Sequence, residues 1–251
     1  MRRILCAAAV SLLSMTAVAG DVLDQSQTRM TPGNFFSVGT NLSATQYVIG
    51  QTFVAGLDGY LGRIRVYLEN DSGSPVTGGL IVSIQLATDD GLPSGREITN
   101  GTVSLCSDEP TGSCVPPAGS PGWVEVRLTP ARVTAGTRYA LVLRAVGGGF
   151  LHWYDYIGSS AYPNGNMVGN SGSGWWAGTA DDMTFETYVT TPVLDQSQTT
   201  SNGYLAVQQN VDLGHWWRTA SIAQTFTAGV GGYLHRVRVL LENGSVSGPI
   251  A

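Results

Sequence analysis

The chain has 251 residues, with 18 acidic against 13 basic side chains, a formal charge of -5 and 43% hydrophobic residues. Every basic residue is arginine, which excludes a P-loop lysine, and an acidic chain with dispersed charge has no electrostatic reason to bind nucleic acid or an anionic membrane. The arginine bias fits a GC-rich bacterial genome and carries no function.

In chain order, Arg2 and Arg3 are followed by an apolar run from Ile4 to Ala19 that ends in the small-residue pattern Ala17-Val18-Ala19. That is the layout of a cleavable secretory signal, here residues 1–19, and the run falls short of the ~20 apolar residues that span a bilayer. The expected product is secreted, at the cell surface or in the periplasm, and its mature part does not insert in a membrane.

The phrase VLDQSQT at Val22–Thr28 returns at Val193–Thr199. Further on, GQTFVAGLDGYLGRIRVYLEN at Gly50–Asn70 is matched by AQTFTAGVGGYLHRVRVLLEN at Ala223–Asn243, with Gln51/Gln224, Phe53/Phe226, Tyr60/Tyr233 and Glu69/Glu242 identical. The distance between copies is that of a whole domain, far above the ~20 to 50 residues of a solenoid or propeller unit. The expected organisation is a complete module at 20–189, a linker at 190–192, and at 193–251 the N-terminal part of a second copy, too short to bury a core of its own.

Between the repeated blocks the pattern is that of strands. RIRVYL alternates Arg63, Arg65 and Tyr67 with Ile64, Val66 and Leu68, a solvated face and an aliphatic one. Similar runs recur at YVIGQTFVA, LIVSIQLA, WVEVRL, RYALVLRA, FLHWYDYI and MTFETYV, separated by turn-formers such as NDSGSP and DDGLPSG. No stretch has helical spacing with caps, so the fold expected is all-β, an antiparallel jelly-roll-like β-sandwich.

The order QTFVAG, GYLGRIRVYL, GLPSG, GWVEVRL, VTAGTRYALVL, an aromatic strand and then GWW with DDMTFETYV resembles the choice-of-anchor modules of secreted bacterial surface proteins. Those are similar in outline to carbohydrate-binding modules. The resemblance covers the first unit and the start of the second. It implies a sandwich repeated along a large exported protein, with neighbouring repeats as its partners.

Cys106 and Cys114, with Pro110 and Gly112 between them, are placed to close a small disulfide loop in an oxidising compartment. No further thiols or nearby His accompany them, as structural zinc would require. A catalytic triad would have to use His152, yet no G-x-S-x-G elbow is present, and neither is H-E-x-x-H. The chain is therefore read as no enzyme and as needing no cofactor, an exported hydrolase being the remote alternative. Asp89-Asp90 before Gly91 reads as a turn. Asp181, Asp182 and Glu186 offer hard oxygen ligands for calcium, without a recognisable calcium loop.

The stretch from Gly147 to Asp182 concentrates aromatic rings, Asn and Gly. Such a mixture suits a glycan, whose C–H faces stack on rings while amides and backbone groups take the hydroxyls. The candidate ligand residues are His152, Tyr154, Tyr156, Tyr162, Asn164, Trp175 and Trp176. Alternation along FLHWYDYI assigns Leu151, Trp153, Asp155 and Ile157 to one face, with Trp153 in the core, and Phe150, His152, Tyr154 and Tyr156 to the other. Two readings remain: weak binding of a carbohydrate or another surface polymer, strengthened by tandem repetition, and a structural spacer in which these rings only fill the sandwich.

Overall fold

A computed structural model describes residues 20–41, 43–106, 113–158, 162–178, 180–191, 197, 209–212, 215–219, 223–228, 237 and 239. The expected secretory signal at 1–19 and most of 193–251, expected as the start of a second copy, lie outside these residues. Among the described residues the fold is all-β, and no helix is long and apolar enough to cross a membrane.

Residues Gly20–Thr191 form a compact unit. Its thirteen strands are β1 (Val22–Gln27), β2 (Phe35–Thr40), β3 (Gln46–Val54), β4 (Gly59–Asn70), β5 (Leu80–Ala87), β6 (Pro93–Val103), β7 (Gly122–Val133), β8 (Arg138–Ala145), β9 (Gly149–Ile157), β10 (Met167–Asn170), β11 (Trp175–Ala177), β12 (Asp181–Met183) and β13 (Phe185–Thr190). Outside it, β14 (Gln209–Asp212) and β15 (His215–Thr219) pair as an antiparallel hairpin.

Every ladder in the unit is antiparallel, and the strands make two layers of a sandwich. One layer is centred on β4, which pairs with β7 along one edge, while β13 and then β9 share the other. Here β1 flanks β13 and β2 flanks β9. The second layer runs β6-β5-β8-β3-β10-β11. The short β2–β3 pairing joins the layers, and at the opposite side the Thr99 hydroxyl of β6 donates to the Thr129 carbonyl of β7.

The alternation in the sequence decides what fills the space between the layers. Ile64, Val66 and Leu68 of β4, Val124 and Val126 of β7, and Val82 and Ile84 of β5 are all fully buried, because every second residue of a strand points inward. The inward parity of β4 changes at Gly62, where Val189 of β13 faces Leu61 and Tyr188 faces Arg63; one extra residue is what a β-bulge inserts. Trp153 is the largest fully buried side chain, and its indole N–H donates to the Thr184 carbonyl. Burying such a group stabilises the fold by about 1.5–3 kcal/mol, provided the N–H keeps a partner. Gly39 has φ +154 and its Cα faces the Gly149 carbonyl so closely that a Cβ would strike it, which fixes the approach of β2 to β9.

Ile157 has the inner parity but is 49% exposed, as the last residue of β9. Asp155, assigned to the inner face, is indeed fully buried. Cys106 and Cys114 form a disulfide, beside the bridge between Leu105 and Val115.

Candidate functional site

The outer face of the β4 layer carries a row of aromatic rings. Tyr67 on β4 is paired with Trp123 on β7, and Phe35 on β2 is paired with Tyr154 on β9. The two pairs meet because Leu68 is registered with Trp153, which sets Tyr67 beside Tyr154. Ring centroids lie 5.6 Å apart for Tyr67–Trp123, 5.4 Å for Tyr67–Tyr154 and 6.1 Å for Phe35–Tyr154. Four strands spaced ~4.8 Å apart make the row roughly 14 Å long. Its first two contacts are edge-to-face, a favoured geometry worth about 0.5–1.5 kcal/mol each, so the rings hold one another in place.

Alternation explains why these rings are outside. In WVEVRL, Trp123, Glu125 and Arg127 share the side opposite the buried Val124, Val126 and Leu128. Tyr67 follows Arg63 and Arg65 on the outer side of β4. Phe35 is 38% exposed, and Tyr67, Trp123 and Tyr154 are half-buried.

Polar groups flank the row on both sides. The Tyr154 hydroxyl donates to Glu69 Oε2 at 2.5 Å; burial, and then this carboxylate, push the phenol up to about 12. His152 stacks on Phe35 at 3.8 Å and its Nε2 is 3.9 Å from Asp71 Oδ2. On the other flank Arg65 sits over Trp123 and pairs with Glu186 at 2.8 Å, while Arg63 lies over Tyr188 and pairs with Asp21 and Glu125. The arginine face expected from RIRVYL is therefore a network of ion pairs and ring contacts.

The sequence-derived candidates separate into three places. His152 and Tyr154 belong to the row. Tyr156 lies farther along β9, its ring under the Arg29 guanidinium at 3.8 Å and its hydroxyl bonded to the same side chain. Trp175 and Trp176 are on β11, at the edge of the other layer; Trp176 packs flat on Gly169, where a Cβ would strike it, and its ring lies 6.3 Å from Phe36. Asn164 is exposed in the turn before β10. Next to that edge Gln46, Val48, Asn170 and Ser171 line an open depression of about 550 Å³.

Tyr162 is a correction. It is only 6% exposed, its ring is edge-on to Phe185 at 5.2 Å, and its hydroxyl donates to Gln25 Oε1. Burial pushes this phenol upward, and it is a core residue rather than a ligand group.

Asp181, Asp182 and Glu186 also serve different neighbours. The Asp182 carboxylate accepts from the Tyr162 backbone N–H and from Gln51 Nε2, and Glu186 accepts from Arg65 and the Tyr188 hydroxyl. Among the described residues no three His, Cys, Asp or Glu side chains are grouped to hold a metal ion.

Phe35 and Trp123 were not candidates in the sequence, and Tyr67 was read only as a neighbour of the arginines. The usable signal was the alternation in WVEVRL and RIRVYL, which already placed Trp123 and Tyr67 outward. Compared with protein-family models and with curated proteins, the chain matches none.

Proposed function

We propose that the chain is a non-catalytic exported module that binds a carbohydrate or a similar surface polymer weakly, and that the row Trp123–Tyr67–Tyr154–Phe35 is the binding surface. The observation that carries this is the row itself: four rings in register across four strands, outward, and bordered by hydrogen-bonding groups. A sugar chain needs apolar platforms for its ring faces and polar groups beside them for its hydroxyls. The disulfide supports an oxidising, exported setting. The repeat of VLDQSQT and of the Gly50–Asn70 block supports a tandem arrangement of the choice-of-anchor kind, in which weak sites gain by effective concentration.

The test is retention of the full chain on a panel of insoluble polysaccharides, with Tyr67→Ala and Trp123→Ala as variants. Both side chains are half-exposed, so the variants keep the fold, which a thermal melt checks. Retention of the parent on at least one polymer, lost in both variants, is the expected result. Uniform failure of the parent to bind favours the structural spacer, and release of soluble sugar during the incubation favours a hydrolase.

A further inference from the structure

We propose that the polymer recognised by the aromatic row is an amino-sugar chain carrying free, protonated amines. This rests on the reading of the row as a glycan site and adds the charge of its ligand. The argument begins with which charges near the row are already neutralised. Arg65 is bonded to Glu186, and Arg63 to Asp21 and Glu125. That flank presents spent charges.

The opposite flank is different. Glu69 is held against the row by the Tyr154 hydroxyl, a neutral donor, and Asp71 accepts from the Gly73 backbone N–H. His152 approaches Asp71 only to 3.9 Å. Among the described residues no arginine pairs with either carboxylate. Register places Glu69 opposite His152, and His152 stacks on Phe35, so both acids border the same end of the row.

A ligand lying on Tyr154 and Phe35 therefore meets anionic oxygen on that side. A uronic or sulfated chain is repelled there, and a neutral chain leaves both carboxylates uncompensated. An ammonium on a sugar gains twice, from the carboxylates and from ring faces that attract cations. Discrimination then comes from repulsion of the wrong charge as much as from attraction of the right one. The acidic balance of the chain, -5 overall, adds a favourable long-range field for a polycation.

The experiment is calorimetric titration of the full chain with β-linked oligomers of equal length: glucosamine, N-acetylglucosamine, glucose and mannuronate. The glucosamine oligomer is expected to bind about tenfold more tightly than its acetylated counterpart, the size of one half-exposed charge contact. The preference shrinks as salt is raised. The double variant Glu69→Gln, Asp71→Asn keeps an acceptor for the Tyr154 hydroxyl, and it is expected to bring the ratio of the two affinities close to one. Equal or stronger binding of the acetylated, neutral or uronic oligomers overturns the proposal, as does a preference that survives the double variant. If the uncharged oligomers bind without discrimination, the charge assignment fails and the glycan reading stands. If no oligomer binds, the charge assignment fails, and the glycan reading is decided by the polysaccharide panel.

Discussion

The side-chain amide of Asn34 donates to both carboxylate oxygens of Asp155, at 2.6 and 2.7 Å. Two backbone bonds accompany it, from the Thr31 N–H to the Asp155 carbonyl and from the Asp155 N–H to the Asn34 carbonyl. One fully buried acid thus fastens the connection between β1 and β2 onto β9.

That acid makes stability depend on pH in an unusual direction. Burial, opposed by Asn34 and reinforced by Asp181, pushes Asp155 up to about 6 from 3.8, and burial also raises Asp24 and Asp182. A carboxyl whose folded value is raised binds more protons in the folded state, so its contribution is full below the unfolded value and is lost as pH rises through about 6. The unit is expected to melt at a higher temperature near pH 5 than near pH 8, Asp155 alone accounting for about 1.4 kcal/mol of that difference. Melts of Asp155→Asn across this range should have a much flatter slope; an unchanged slope assigns the effect to other groups.

Gln51 offers a sharper stability test. Its Nε2 donates to Asp182 and its Oε1 accepts the Met183 N–H, all within the buried interior. Gln51→Leu leaves both groups without that partner, and each such loss costs ~1–3 kcal/mol. The urea midpoint is expected to fall by the equivalent of roughly 2 to 6 kcal/mol.

How much of this was legible in the sequence differs from residue to residue. Periodicity of two sufficed for Ile64, Val66, Leu68 and Trp153, because each strand reports its own inner face. It failed for Tyr162, which lies in a turn where no alternation applies, and for Ile157, which has the inner parity but ends its strand exposed. The aromatic row was hidden for another reason. Tyr67 and Trp123 become neighbours only through the β4–β7 pairing, and Tyr154 joins them only through β9; such long-range registers are not written in any local pattern. Asp155 was legible on the inner face of FLHWYDYI, but its donor was not, since Asn34 comes from the β1–β2 connection; Asp182 looks like a surface turn residue until its donor Gln51 is seen to arrive from β3.

The phenol of Tyr154 can be followed directly. It should ionise near 12 by ultraviolet titration, later than an ordinary tyrosine. Glu69→Gln removes the negative charge that adds to burial and should lower the value part of the way toward 10. No movement in this variant contradicts the Tyr154–Glu69 contact.

The disulfide is expected to act locally. Its partners are 8 residues apart, and closing so short a loop limits the unfolded chain by roughly 2 to 3 kcal/mol. Reduction should lower the melting temperature by about 5–10 °C, which thermal melts with and without reductant check.

Val22 is registered with Val189, so the first and last strands of the unit begin and end side by side. A pull on both ends of Gly20–Thr191 meets the β1–β13 ladder at its tip and opens the five registered pairs one after another, as a zipper opens. Strands loaded along their length would have to break together. The unit therefore lengthens at low force by peeling β1, while β4, β7 and β9 keep the rings in register. Under tension β1 is expected to yield first, with the outer rings of β4, β7 and β9 still aligned.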